Sequence, residues 1–445
     1  MPSAPSASKR KILYVAYYFP PFAGSGAWSP LAVVNALAKR GHDVTVLAAD
    51  QWTYGLAGQA FDPALAEMID PSVKVYRWPF PLGPDDPLVT RWDTHRLLAF
   101  RAQASREIEW REEARQDWSK VLPEPNGAPN FGRSYAPLTA AARHLHRLKQ
   151  FDLIITTASP WVDFAVPLQL GAETGVPTVI YDRDSWLFDV FTGELSYNAV
   201  LIEPLLAQIL GQATRAWYVS EPIAEAHRQR FPEHAAKIKA VLNGWDPDFL
   251  PDDIEPPKRQ DGQGLVFRFV GTRQGAFPMK ALVDGWRSAR ESDPIMAQSR
   301  LEFVGPHYGA VTGAGYAELG ISGRESVPRV SLGDLYRQTD VLVFLKEGKG
   351  MGPSGKIFEY LATGLPIIAA LDQEHSARQI LSGRELVFYS EAVESEALAQ
   401  ALVAVAQHQP TAKEVAQAHR HAEQYRRDRS LDAAFDDLEE ALQWN

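Results

Sequence analysis

The ten residues Gly350-Met351-Gly352-Pro353-Ser354-Gly355-Lys356-Ile357-Phe358-Glu359 are the most informative chemistry in this chain. They follow an apolar run, Val341–Leu345, that reads as a buried strand, and lead into Tyr360-Leu361-Ala362, which reads as a helix. A glycine-rich turn between strand and helix brings backbone N–H groups and the positive end of a helix dipole to one point. Lys356 adds a full charge there. Such a turn suits a phosphate, held by Ser354, Gly355 and Lys356. The spacing also fits G-x-x-x-x-G-K, the P-loop, but Ile357 stands where a Ser or Thr hydroxyl would hold magnesium. Glu359 has two readings. Its carboxylate could accept hydrogen bonds from a ribose diol, or it is a first-turn acid favoured by the helix dipole.

Other constellations sit after other strands. Arg273 follows the run Val266–Val270 and Gly271, and Lys280 comes seven residues later; a guanidinium fork and an ammonium placed there would pair with a diphosphate. Gly24-Ser25-Gly26 opens the first helix and lets the backbone approach a ligand closely. It resembles half of a dinucleotide fingerprint, yet Ser29 replaces the third glycine and Pro20–Ala23 delay the turn. A plain turn is the other reading. Asp182-Arg183-Asp184, with Trp186, follows the run Thr178–Tyr181. It reads as a pair of acids at a strand end or as a metal site. Ser159-Pro160 ends the run Leu153–Thr157.

These positions require strands that end at a common edge. Residues 11–50 read strand, loop, helix, strand, with Leu31, Val34, Leu37 and Ala38 on one helical face and Gly41 as the glycine just past the helix. Short apolar runs preceded by helical sequence recur at 153–157, 178–181 and 215–219, the signature of a parallel sheet covered on both faces. A second alternation starts after residue 263, with runs at 265–270, 301–304, 341–345, 366–370 and 385–389. Residues 394–408 and 411–443 read as helices. Residues 246–262, rich in proline and acids, read as a linker. The expected division is therefore 1–245, with an insertion at about 84–150, then 263–424, then a final helix over 425–445. The insertion reads as helical at 91–120, as a loop at 121–137 and as a basic helix at 138–149. Its mixed charges give a solvated face, or an element that binds an acceptor or a membrane surface.

Composition bounds the rest. At 445 residues two domains are expected. A net charge of −10 argues against non-specific nucleic-acid binding. No cysteine is present, which excludes thiol nucleophiles and cysteine-based metal sites. Lys9-Arg10-Lys11 before an apolar run resembles a signal peptide, but the helix and strand that follow favour a first buried strand and a cytoplasmic protein. No apolar run reaches the roughly 18 residues that span a bilayer.

Taken together, the chain resembles a GT-B glycosyltransferase, closest to the retaining family 4. In the first half the residues that carry the likeness are Pro20-Pro21, Gly24-Ser25-Gly26, Arg40–Val44, Arg183-Asp184-Ser185-Trp186 and Asn243-Gly244-Trp245-Asp246. In the second half they are Val270-Gly271 with Arg273 and Lys280, Phe303-Val304-Gly305, Asp334-Leu335-Tyr336, Asp340–Val343 and Ser354–Pro366. The resemblance implies an α/β chain of two Rossmann-like domains whose parallel sheets face an interdomain cleft. It implies a nucleotide-diphosphate sugar as donor substrate, with no cofactor and no metal. Arg273 and Lys280 would neutralise the diphosphate leaving group, Glu359 would hold the ribose, and Gly24–Gly26, Gly271, Met351 and Gly352 would lie against the donor. A glycan, lipid-linked or small-molecule acceptor would meet Ser159, Asp184 and Trp186. The final helix would cross back onto the first domain. Peripheral contact with the inner membrane face, through the insertion, goes with the lipid-linked case.

One departure is marked. The family often carries two glutamates with seven residues between them, the first touching the donor sugar. Met351 occupies that first place, and Glu347 lies four residues earlier. Either Glu347 serves from a longer loop or the sugar is held without it. Two alternatives share the architecture: a sugar-nucleotide epimerase, for which no convincing set of acids and bases is identified, and a nucleotide-binding relative without turnover.

Overall fold

The computed structural model describes residues 9–49, 62–78, 135–158, 160–250, 254–257, 262–272, 278–306, 314–346, 348 and 350–444. Ser159, Arg273 and Glu347, and most of the 84–150 stretch, lie outside the described residues. The chain forms two compact units. The first comprises residues up to Asp189, Glu194–Val241 and Leu431–Asn445; the second comprises Val190–Gly193 and Leu242–Ser430.

The first unit is built on seven parallel strands: β1 (Lys11–Ala16), β2 (Asp43–Ala49), β3 (Lys74–Trp78), β4 (Leu153–Ala158), β5 (Thr178–Asp182), β6 (Arg215–Tyr218) and β7 (Ile238–Ala240). Their order is β3-β2-β1-β4-β5-β6-β7, so the chain reverses direction across the sheet between β1 and β4. Helix α1 (Trp28–Lys39) ends at Gly41, whose φ of 91° is the left-handed geometry expected of a glycine just past a helix. Helix α2 (Tyr135–Lys149) covers the sheet rather than standing apart as an insertion. Leu138, Ala140, Ala141, Ala142 and Leu145 enter the core beside Leu13, Val15 and Ile154. Its cations are partly spoken for: Arg143 pairs with Glu173 at 2.7 Å and Lys149 donates to the Thr45 hydroxyl at 2.8 Å. Helices α3 (Ala199–Gln212) and α4 (Glu221–Arg230) flank β6 in sequence.

The second unit has six parallel strands, β8 (Val266–Val270), β9 (Arg300–Val304), β10 (Ile321–Arg324), β11 (Val341–Lys346), β12 (Ile367–Leu371) and β13 (Val387–Ser390), in the order β10-β9-β8-β11-β12-β13. Here the reversal falls between β8 and β11. The strands alternate between two apolar layers. Leu342 and Phe344 join Ile357, Phe358, Tyr360 and Leu361 of α6 (Gly355–Ala362), after α5 (Met279–Ser292) in sequence, on one face. Val341, Val343 and Leu345 join Leu282 and Trp286 of α5, and Leu398 and Leu402 of α7 (Ser395–Gln407), on the other. This double burial is why the strands read as unbroken apolar runs.

Two expectations change. The 246–262 stretch is not all linker: Leu250 and Ile254 are 1% and 0% exposed within the core of the second unit. The helix read over 411–443 is two, α8 (Ala412–Ala422) and α9 (Arg427–Ala441), parted by the tight turn Glu423–Tyr425. The break frees main chain for pairing. Trp245 donates its N–H to the Tyr425 carbonyl at 3.0 Å, and its own carbonyl accepts from Arg427 N–H at 2.8 Å. The Trp245 indole donates to the Ala422 carbonyl at 2.8 Å. Gly244 makes the approach possible: its φ is 60°, and a Cβ there would lie 2.8 Å from the backbone of Arg427 and from the Tyr425 carbonyl. Gly244→Ala is therefore expected to lower the stability of the second unit by about 2–4 kcal/mol in denaturant unfolding. A loss under about 0.5 kcal/mol would refute this account of the turn.

Candidate functional site

In the first unit the described site residues follow the carboxyl ends of β1 and β5, and β1 borders the reversal in strand order. Ligands of open parallel sheets bind at that place. The glycines at 24 and 26 are pressed on aromatic rings: a Cβ on Gly24 would fall 2.2 Å from the Phe22 ring, and one on Gly26 3.0 Å from Tyr18. Tyr18 and Phe22 stack at 4.5 Å. The turn reading of these glycines thus has a packing cause. The Gly26 carbonyl accepts from Arg183 at 2.9 Å.

Behind these loops lie buried acids. Asp163 accepts from Tyr17 N–H at 2.7 Å, and burial holds its carboxyl well above the usual carboxylate range. Asp182 accepts from the Trp161 indole and from Trp186 N–H, each at 3.0 Å; burial raises it to about 6. Asp182 thus serves as a buried acceptor for these donors, and among the described residues no group of three or more His, Cys, Asp or Glu side chains could hold a metal ion. Asp184 is exposed. Trp186, expected to meet an acceptor, is only 2% exposed, and its ring stacks 6.2 Å from Trp161. Trp161 is the half-buried member of that pair and was not singled out from the sequence.

In the second unit the turn before α6 divides into two parts. The first is closed. Gly348 N–H donates to Asp372 at 2.5 Å, Gly350 N–H to the Phe191 carbonyl at 3.1 Å, and Met351 N–H to the Val190 carbonyl at 2.7 Å. The Gly350 carbonyl accepts from Ser376 N–H at 3.0 Å. Gly350 has a φ of 50°, and its Cα faces the buried His375 ring, where a Cβ would come within 2.3 Å of Nε2. Burial, aided by the Lys346 charge, brings His375 down to about 4, so this wall is a neutral imidazole at physiological pH.

The second part is open. Ser354 stands at the N-cap of α6 yet makes no capping bond with its side chain. Among the described residues no acceptor takes the N–H of Ser354, Gly355 or Lys356. The phosphate-binding expectation therefore narrows to these three groups; the N–H groups of Gly350 and Met351 are committed elsewhere. Two side chains fix the geometry. The Tyr360 hydroxyl accepts from Val270 N–H at 2.8 Å and donates to the Val270 carbonyl at 3.3 Å, tying α6 to the end of β8. Lys356 reaches the same place: its ammonium donates to the Thr272 carbonyl at 3.1 Å and lies 3.9 Å from the Phe269 ring centre. Gly271, with φ of 113°, leaves room, since a Cβ would meet Lys356 at 3.2 Å. Burial, then the Lys346 charge, brings Lys356 down to about 7, against an opposing pull from Glu359.

Glu359 is held by a partner that the sequence did not reveal, Arg329, at 2.7 Å; both side chains are about 15% exposed. Buried Tyr336 lies beside Glu359, and its hydroxyl is pushed well up by burial and then by that carboxylate. Lys280 differs from expectation. It sits in the first turn of α5 with a 93% exposed side chain, paired with Asp284 at 2.7 Å. A cation on an exposed helical face pairs with the acid one turn on, so its charge is turned to Asp284. The Arg329–Glu359 pair should couple more strongly than an exposed pair. A double-mutant cycle with Arg329→Met and Glu359→Gln is expected to give about 1–2 kcal/mol. Coupling below about 0.3 kcal/mol would count against a preset carboxylate.

Comparison with known proteins adds to this geometry. A Glycosyltransferase Family 4 model matches residues 96–249, starting inside the stretch read as an insertion, and a glycosyl transferase-like model matches residues 287–438. No curated protein matches the chain by sequence. Among solved structures, a glycosyltransferase of Rickettsia africae is 12% identical with a TM-score of 0.62, covering 98% of this chain and 100% of its own. Anabaena HepE in complex with UDP and glucose is 15% identical with a TM-score of 0.60, covering 96% and 98%. A putative UDP-N-acetylglucosamine 2-epimerase of Listeria monocytogenes is 13% identical with a TM-score of 0.57, covering 98% of each chain. At such identities the neighbours speak for the fold, and the two family models speak for the class. The chain belongs to the GT-B glycosyltransferases and is like family 4.

Proposed function

We propose that the protein transfers a sugar from a nucleotide-diphosphate sugar to a carbohydrate, lipid-linked or small-molecule acceptor, with retention at the anomeric carbon and without a metal. One observation carries the donor half: three unclaimed N–H groups at the start of α6, with a lysine ammonium beside them and Glu359 one turn further on, all at the β8–β11 reversal. Diphosphate oxygens would take the N–H groups of Ser354, Gly355 and Lys356, and the Glu359 carboxylate would take the ribose diol. Glu359 faces Arg329 in the free protein, which sets its position before the nucleotide arrives. Solved neighbours of this fold hold UDP with glucose and UDP-glucose, which supports a nucleotide-sugar donor here.

Chemistry at the donor requires departure of a nucleoside diphosphate as its bond to the anomeric carbon breaks. Cationic groups that hold the developing charge lower that barrier. Lys356 and the helix N-terminus serve in this role, with Arg273, which follows β8 in sequence. Lys280 would join them only by leaving Asp284. Glu347 is assigned to the donor sugar in place of the glutamate missing at Met351. The acceptor is assigned to Ser159 and Asp184, which follow β4 and β5 in sequence, with Trp161 in place of the buried Trp186. Among the described residues no helix is long and apolar enough to cross a membrane.

Purified protein incubated with UDP-, GDP- and dTDP-sugars should hydrolyse one donor slowly, equally well with EDTA present, and transfer it when an acceptor is supplied. Epimerised sugar nucleotide as the product would replace this reading with that of the Listeria neighbour. Glu347→Ala should lower turnover by two or more decades, roughly 3 kcal/mol; a near-normal rate would remove Glu347 from the sugar site. The nucleotide should also bind with a pH dependence of known sign. Lys356 titrates near 7 in the free protein, facing Lys346 and the Arg329-paired Glu359. A bound diphosphate raises it, so affinity holds below pH 7 and falls above it, by up to about tenfold per unit for one proton taken up. Affinity constant from pH 6.5 to 9 would exclude Lys356 as a ligand.

A further inference from the structure

Lys346 was not among the expected site residues, and its surroundings ask for an explanation. It is the last residue of β11. It continues the row of Leu342 and Phe344, which face α6. On one side β11 pairs with β8, whose exit carries Gly271 and the Thr272 carbonyl that Lys356 occupies. On the other it pairs with β12, Lys346 opposite Leu371, just before Asp372. The side chain is half-buried, and burial depresses its ammonium. Its ammonium lies 5.8 Å from the Phe191 ring centre, and its charge also bears on the buried His375 imidazole. No carboxylate pairs with it among the described residues: Asp372 receives Gly348 N–H, and Glu359 is taken by Arg329.

Two ammonium groups thus sit at one strand reversal, and the charge of Lys346 makes Lys356 harder to protonate. A fold gains nothing from such a pair alone, because partly desolvated like charges cost free energy without a counter-charge. An anion of two charges or more, arriving between them, would turn that cost into attraction. The N–H groups at the start of α6 point to the same anion.

We propose that Lys346 is a further donor-binding residue: with Lys356 it forms a two-ammonium site at the β8–β11 reversal that takes both phosphoryl groups of a nucleoside diphosphate. This rests on the donor reading above and assigns the diphosphate charge to residues other than Lys280. Lys356, over Gly271, takes the phosphoryl group nearer the β8 exit, and Lys346 takes its neighbour. A monophosphate would engage one ammonium and leave the other uncompensated, so the site discriminates by phosphate number. The competing account has Lys346 merely packing its stem and resting its charge on Phe191.

Calorimetry with UDP, GDP, ADP and dTDP on the full chain identifies the tightest nucleotide, which is then compared with its monophosphate. Lys346→Met keeps the apolar stem and removes the charge. It is expected to weaken the diphosphate at least tenfold, about 1.4 kcal/mol, and the monophosphate less than threefold, with thermal stability unchanged or raised. Lys346→Arg should recover most of the diphosphate affinity. Diphosphate affinity within twofold of wild type in Lys346→Met, or equal losses for both nucleotides, overturns the assignment. Failure of all four diphosphates to bind the wild type would instead overturn the donor reading, and this assignment with it.

Discussion

One phenol sets the geometry of the second unit. The Tyr360 hydroxyl is bonded to both the N–H and the carbonyl of Val270, so the helix that begins at Gly355 is fixed to the last residue of β8. Everything chemical at the switch of strand order follows from this tie. It sets where the first turn of the helix points, brings Lys356 to the Thr272 carbonyl, and places Glu359 within reach of Arg329. Apolar packing of Ile357, Phe358 and Leu361 holds the helix against the sheet, but such packing is tolerant of small rotations. A buried hydroxyl with two specific partners is not, and it converts a helix that merely packs into one whose N-terminus has a fixed address.

The two units treat charge in opposite ways. In the first, the acids Asp163 and Asp182 are buried among N–H donors of the backbone and of Trp161 and serve the loops that surround them. In the second, the acids near the switch are already paired, while the ammonium groups of Lys346 and Lys356 are left with a carbonyl and aromatic faces. Among the described residues, then, these carboxylates are satisfied within the unit and the two ammonium groups have no carboxylate partner.

Much of the fold was legible because buried parallel strands are apolar along their whole length. Residues 12–16, 153–157, 266–270 and 341–345 announce themselves this way. The strands that escaped notice, Lys74–Trp78, Ile238–Ala240 and Ile321–Arg324, all lie at sheet edges, where strands are short and one side is less covered. Lys74–Trp78 is further disguised by Arg77, which is buried and donates to the Ala49 and Pro20 carbonyls. The turn at Gly350–Lys356 was legible from its glycines and its lysine as a place where N–H groups and a cation meet at the start of a helix. Which of its N–H groups remain open was not, because the partners come from Phe191, Val190 and Asp372, far away in sequence. Arg329 and Lys346 were invisible for the same reason. For Lys280, sequence position fixes the strand it follows but not the direction of its side chain, which here is turned to Asp284.

Neither unit is a continuous piece of chain. The carbonyls of Val190 and Phe191, which hold Met351 and Gly350 in place, come from four residues embedded in the sequence of the first unit, while the first unit takes back the chain from Leu431 onward. The gene therefore cannot be cut at a single point into two self-sufficient halves. A chimera joined at residue 242 would pair the turn before α6 of one parent with the Val190–Gly193 segment of another. The backbone carbonyls would survive such an exchange, since any residue supplies them. The close fits of Gly348 against the Phe191 carbonyl and of Gly193 against Met351 would not be guaranteed. Inheritance of this turn is thereby linked to a short stretch more than 150 residues upstream, and divergence at one should be accompanied by divergence at the other.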